Sequence, residues 1–154
     1  MNHRVYLSLG SNMGDRRRLM DQAVEYIEKQ VGHIVCQSAF YETEPWGFSS
    51  PNKFLNAAVC VETPLCPRCL LEATQRIERE MGRGDKYGDD VRKTDVSAKT
   101  GQPRVYHDRP IDIDILLYDD LTVDEPDLKI PHPLMYERDF VMTPLREVMG
   151  KVKR

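Results

Sequence analysis

No apolar run in this chain approaches the roughly 20 residues needed to cross a bilayer. The opening residues, Met1-Asn2-His3-Arg4-Val5-Tyr6-Leu7, lead straight into strand-like alternation rather than a signal peptide. A cytoplasmic location is the expectation. An excess of positive charge is also missing: 22 Lys and Arg against 25 Asp and Glu give a net charge of −3 and a pI near 5.8. That balance argues against long nucleic acid as a partner, which needs a basic face, and leaves nucleotide-sized ligands open. The four cysteines include one close pair, Cys66-Pro67-Arg68-Cys69, with no second pair and no His-x-x-x-His to complete a zinc pattern. The pair has the spacing of a redox or half-zinc motif, while Pro67 reads as the first residue of a helix with Cys66 near its cap. Repeats, low-complexity tracts, a second-domain linker and a Gly-x-x-x-x-Gly-Lys-Ser/Thr phosphate loop are all absent. What remains is one domain over residues 1–154, at 40% hydrophobic and 31% charged residues ordinary for a globular chain and long enough to bury a core.

The feature with the most chemical content is Pro110-Ile111-Asp112-Ile113-Asp114-Ile115-Leu116-Leu117-Tyr118. In a strand, Ile111, Ile113 and Ile115 enter the core while Asp112 and Asp114 share the opposite face. Two carboxylates at i and i+2 suit Mg²⁺, which takes one or two carboxylates together with substrate phosphates. Phosphoryl or pyrophosphoryl transfer is the chemistry that follows. Alternation alone also allows an ordinary half-buried strand with its acids in water.

Val5, Leu7 and Leu9 predict a first strand ending at a Gly10 to Gly14 turn, followed by a helix carrying Leu19, Ala23, Val24, Ile27 and Val31 and stopped by Gly32. Ile34 to Tyr41 predicts a second strand, ending in a turn-rich loop from Thr43 to Pro51. A third strand alternates Leu55, Ala57, Val59 and Val61 with Phe54, Asn56 and Ala58. Its second face carries an aromatic ring and an amide, suited either to a flat polar ring or simply to covering a sheet. Pro67 to Met81 predicts a second helix, with Gln75 and Glu78 on one face, as an exposed polar face would also have. From Gly82 to Arg109 the apolar pattern vanishes. Seven cations and four glycines there fit a lid over phosphates, or a solvated insertion. A turn at Asp119-Asp120 and a helical tail, capped or broken by Pro144, follow. The order strand, helix, strand, strand, helix, strand predicts an α+β sandwich: an antiparallel sheet with its main helices on one face and the other free for a site.

These segments together resemble the 6-hydroxymethyl-7,8-dihydropterin pyrophosphokinases of folate biosynthesis. The resemblance rests on Leu9-Gly10-Ser11-Asn12 with Gly14-Asp15, Phe40-Tyr41-Glu42-Thr43-Glu44-Pro45-Trp46-Gly47 and Phe54-Leu55-Asn56-Ala57-Ala58-Val59. It continues through Gln75-Arg76-Ile77-Glu78, Arg109-Pro110-Ile111-Asp112-Ile113-Asp114, Pro131-His132-Pro133, and Arg138-Asp139-Phe140-Val141 to Pro144-Leu145. It implies a ferredoxin-like fold with a lid loop at about 83–108, and transfer of the pyrophosphoryl group of ATP to the pterin hydroxymethyl oxygen, releasing AMP. By that resemblance Asp112 and Asp114 hold two Mg²⁺ ions, and Arg83 and Arg109 clamp phosphates. Gln75, Glu78, Ile115, His132 and Arg138, with Arg109, lie on the ATP side. Thr43, Trp46, Phe54, Asn56 and Phe140 surround the pterin, the two phenylalanines stacking on it. The partners implied are the two small molecules, with a monomeric protein, no nucleic acid and no membrane. Tyr106 stands where the family frequently has Trp, Asp85 where it often has a further lid arginine, and the lid is longer than is common. A non-catalytic ferredoxin-like module binding nucleotide or a small ligand is the alternative from another class.

Overall fold

A computed structural model describes residues 2–43, 53–83 and 110–152, with backbone alone at 82 and 83. The lid expectations at 84–109, including Tyr106, and the loop positions 44–52 lie outside the described residues. The elements are β1 (His3–Ser11), α1 (Arg16–Gln30), β2 (His33–Gln37), β3 (Tyr41–Thr43), β4 (Phe54–Thr63) and α2 (Pro67–Glu78), which runs into a π-helical turn (Arg79–Arg83). Then come β5 (Asp112–Tyr118), a hairpin of β6 (Val123–Glu125) and β7 (Leu128–Ile130), a 3-10 turn (Met135–Glu137) and α3 (Asp139–Val152). The main sheet runs β2-β4-β1-β5, with β3 also pairing with β4 and every pairing antiparallel. This is the predicted α+β sandwich. Among the described residues no helix is long and apolar enough to cross a membrane.

The period-2 pattern of β1 sends Val5, Leu7 and Leu9 to one face, where they meet Val59 and Val61 of β4 and Ile113 and Ile115 of β5, all buried. Met20, Ala23 and Ile27 of α1 and Leu70, Ala73 and Ile77 of α2 close over them at helical spacing. Caps match the sequence: the Asp15 carboxylate accepts from the Arg18 N–H, and Cys66 caps α2 with Pro67 at its first position. The predicted second strand is instead two, β2 and β3, lying along the same edge of β4. Ser38 bridges the break, its N–H donating to the Ala58 carbonyl and its hydroxyl accepting from the Ala58 N–H, both at 2.9 Å. A buried backbone pair thus stays satisfied where the strand bends.

The opposite face is only partly free. In β5, Ile115 opposes Leu7 and Leu117 opposes Tyr6, so Leu116 is the extra residue of a bulge. Leu116 keeps the aspartates' face, where it packs with Val141 and Leu145 of α3; the bulge brings Leu117 onto that face as well and sends Tyr118 into the core, while Val148 covers Ala58 and Cys60. Pro144 lies inside α3 rather than ending it. An interior proline costs a helix about 3 kcal/mol; the three buried side chains contribute about 1.5–3 kcal/mol each and outweigh it. Glu147 ties α3 to the break in the sheet edge. Its carboxylate accepts from the Tyr41 hydroxyl, the Ala39 N–H at 2.9 Å and the Lys151 ammonium at 3.0 Å.

Two outcomes are expected. Gly32 has ordinary backbone geometry, but a Cβ there would stand 2.1 Å from the Glu62 carbonyl oxygen and 2.9 Å from the Thr63 Cα. Gly32→Ala should therefore lower stability by about 1–3 kcal/mol, read as a reduced urea midpoint at unchanged slope. The hydrogen bond from Tyr41 holds the Glu147 carboxyl below its ordinary value. Stabilisation from a lowered carboxyl is complete above the unfolded value and lost as pH falls through the folded one. The stability gap between wild type and Glu147→Gln should be larger at about pH 7 than at about pH 3, as urea unfolding at the two values would measure.

Candidate functional site

Strand register assembles the site. Gly10 of β1 opposes Asn56 of β4 on one side and Asp112 of β5 on the other. Two residues back, Ser8 opposes Ala58 and Asp114. Residues opposed across a sheet share a face, so Asn56, Gly10, Asp112 and Ala58, Ser8, Asp114 form two adjacent rows. α3 begins to cover the sheet at Ala58 in the second row and covers the next row, Cys60, Tyr6 and Leu117. These two rows are thus bounded by α3 at one end and carry small side chains on the middle strand, with Gly10, Ser8 and Asn56 buried and Asp112 and Asp114 half-buried. With strands about 4.8 Å apart, Asn56 and Asp112 lie about 10 Å from each other across β1.

Gly10 therefore has a different role from the turn residue expected. It lies within β1, and a Cβ on it would meet Asn56 Oδ1 at 3.2 Å and the Phe54 ring at 3.6 Å. Its missing side chain lets both lean over the middle strand. A glycine inside an alternating strand is the sequence signal for such a close approach. Asn56 is 3% exposed, and its amide Nδ2 donates to the Thr43 hydroxyl at 2.6 Å, which fixes the amide plane with Oδ1 toward Gly10. Thr43 and Phe54 are themselves a register pair of β3 and β4. Thr43, Phe54, Asn56, Asp112 and Asp114 are thus brought together on one face.

A second group lines the outer edge of β5, the last strand of the sheet. Glu78 is 8% exposed and its Oε2 accepts from the Ile113 N–H at 2.8 Å. This bond holds the peptide between the two aspartates from the side opposite β1. Strand alternation sends the Ile115 peptide the same way. Next along, the His132 N–H donates to the Leu116 carbonyl at 3.1 Å, so His132 sits beside Ile115. The His132 Nδ1 accepts from the Leu134 N–H at 3.4 Å, which leaves Nε2 as the ring's donor. Gln75 is half-buried one turn before Glu78 on α2. The link from Glu78 to the aspartate strand is tertiary and left no mark in the sequence beyond the residue itself.

Arg138, 3% exposed, precedes α3, and its guanidinium carbon lies 5.8 Å from the centroid of the half-buried Phe140 ring, within cation–π range. The backbone of Arg83 closes the π-helical turn after α2. Trp46 and Arg109 lie outside the described residues. Among the described residues no group of three or more His, Cys, Asp or Glu side chains could hold a metal ion. Asp112 and Asp114 are a two-carboxylate donor set, both half-buried. Such a set fits a hard cation whose remaining ligands are waters and phosphate oxygens, and does not fit a closed structural site.

Residues 6–150 match the family model described as 7,8-dihydro-6-hydroxymethylpterin-pyrophosphokinase (HPPK). A 2-amino-4-hydroxy-6-hydroxymethyldihydropteridine pyrophosphokinase of Porphyromonas gingivalis is 50% identical over 145 residues, covering 94% of this chain and 89% of that protein. The protein of the same name from Bacillus subtilis is 39% identical over 155 residues, covering 100% of this chain and 83% of its own length. Among solved structures, an HPPK-DHPS in complex with substrates superposes with a TM-score of 0.70 at 16% identity, over 97% of this chain and 40% of that one. Wild-type HPPK-DHPS of Plasmodium falciparum gives 0.67 at 16% identity, over 92% and 40%. The chain spans about two fifths of those longer structures, and at that identity they speak for the fold alone. With the family model matched from β1 to α3 and full-length relatives of this similarity, the chain belongs to the 7,8-dihydro-6-hydroxymethylpterin-pyrophosphokinase family.

Proposed function

We propose that this protein transfers the pyrophosphoryl group of ATP to the hydroxymethyl oxygen of 6-hydroxymethyl-7,8-dihydropterin, giving the pterin diphosphate and AMP in folate biosynthesis. The observation that carries the reading is the register Asn56, Gly10, Asp112 with Ser8 opposite Asp114. It sets an amide suited to a heterocycle and a carboxylate pair suited to Mg²⁺ on one face, with Gly10 and Ser8 of β1 as the strand residues between them. The working form in this reading is a cytoplasmic monomer acting on small molecules alone.

Asp112 and Asp114 would hold two Mg²⁺ ions, which when bound offset phosphate charge and acidify the attacking hydroxyl. Asn56 Oδ1, held by Thr43, accepts from the donor edge of the pterin, and Phe54 and Phe140 stack on its faces, with Trp46 closing the loop side. Gln75, Glu78, His132 and the Ile115 backbone take the nucleotide along the outer edge of β5. A carboxylate has room for several donors, so Glu78 can keep its bond to Ile113 while accepting from a ribose hydroxyl. Arg138 lies on the ATP side, and Arg83 and Arg109 grip phosphates. The reaction asks little covalent work of the protein; positioning and electrostatics supply the rate.

Chromatography of AMP released from ATP, Mg²⁺ and the dihydropterin tests the reading. AMP should form only when all three are present, and Asp112→Ala or Asp114→Ala should cut turnover about 10³-fold, several kcal/mol of barrier, with the fold retained by circular dichroism. Near-normal turnover in both variants would contradict the metal assignment, and ligand binding without AMP would favour the non-catalytic module. Glu78→Ala should cost about 1–3 kcal/mol in urea unfolding and slow turnover, while Glu78→Gln, which keeps an acceptor oxygen, should recover most of the stability. A stability loss of equal size in both variants would mean that the bond to Ile113 is not what anchors β5.

A further inference from the structure

Cys66 and Cys69 take no part in the reaction proposed above. They stand at the start of α2, which runs from Pro67 to Glu78 and keeps Cys66 about 18 Å and Cys69 about 13 Å along the helix axis from Glu78. Both are exposed free thiols with their sulfurs 2.8 Å apart, sharing a hydrogen bond. Cys66 is the N-cap: its Sγ accepts the Cys69 N–H at 3.2 Å, at the helix end whose unpaired N–H groups and dipole favour negative charge. Pro67 fixes the first helical φ and keeps the cap from fraying. Arg68, between the two cysteines, pairs with Asp127 and Glu125 of the β6–β7 hairpin, which ties the start of α2 in place. The other two cysteines contrast with these. Cys60 is buried, which pushes its thiol up to about 11, and burial also raises Cys36, whose Sγ bonds the Val148 carbonyl.

We infer that Cys66 and Cys69 form a reversible dithiol–disulfide pair, with Cys66 as the attacking thiol and Cys69 as the resolving one. Residues three apart at a helix start lie within the separation a disulfide spans. The asymmetry is set by the shared hydrogen bond, which stabilises a Cys66 thiolate and lifts the Cys69 thiol. The oxidant is an organic disulfide. The Cys66 thiolate attacks one of its sulfurs, forming a mixed disulfide and expelling the first thiolate. Cys69 then loses its proton, and its sulfur attacks Cys66 Sγ, expelling the second. The protein gives up two electrons and two protons, and the organic disulfide leaves as two thiols. Among the described residues no third His, Cys, Asp or Glu joins the pair to make a metal-holding group, which favours this chemistry over zinc.

The test needs no turnover, so its result stands apart from the fate of the proposed reaction. The full chain is equilibrated in mixtures of reduced and oxidised glutathione, quenched in acid, alkylated after unfolding and mapped by peptide mass. Two thiols should disappear together as a Cys66–Cys69 linked peptide, while Cys36 and Cys60 stay alkylatable. Cys69→Ser should accumulate a glutathione adduct on Cys66 at least about tenfold faster than Cys66→Ser accumulates one on Cys69. Equal rates in the two variants, a pair that stays reduced in every mixture, or zinc that survives dialysis on wild type and is lost from either variant would each overturn the inference.

Discussion

The position of β1 between β4 and β5 is the constraint on which the other features depend. Side chains alternate with a period of 2, so a one-residue slip in either ladder would send Asp112 and Asp114 into the core or Asn56 away from them. The buried row of Val5, Leu7 and Leu9 against Val59, Val61, Ile113 and Ile115 opposes that slip, since it would turn the apolar side chains of the slipping strand out of the core. The polar face is therefore aligned by the apolar one. Gly10 and Ser8 then decide what the aligned face can hold, because a larger residue at either position would fill the space between the acids and the amide.

β5 is an edge strand, and an edge offers unpaired backbone groups. Here the edge is occupied in a specific way, by the Glu78 carboxylate at the Ile113 N–H and by the His132 N–H at the Leu116 carbonyl. Both contacts satisfy the edge and bring α2 and the segment after β7 alongside the strand that carries the aspartates. The bulge at Leu116 completes the division of labour along β5. Before it the face carries the half-buried acids; at it the same face turns apolar and accepts α3. One strand thus supplies both a polar site and the seat of the helix that bounds it.

Much of this was legible in the residue order. The α+β sandwich, the paired acids on one strand face, the Cys66 cap with Pro67, and the Gly32 stop all follow from local periodicity and cap chemistry, which act over a few residues. The broken strand at Ser38, the interior Pro144 and the strand position of Gly10 did not. Each depends on a partner distant in sequence: Ala58 for Ser38, the sheet face under α3 for Pro144, and Asn56 with Phe54 for Gly10.

The same division holds for the site. The sequence by itself determined the family, because the joint set of motifs, with Asp112 and Asp114 among them, needs no neighbours to be read. Only the tertiary structure decided that Asn56 and the aspartates flank a side-chain-free glycine, and that a buried Glu78 secures the peptide between the acids. Those facts are matters of register and of helix-to-edge contact, and long-range pairing is set by the global burial of the core, which no local window of residues contains.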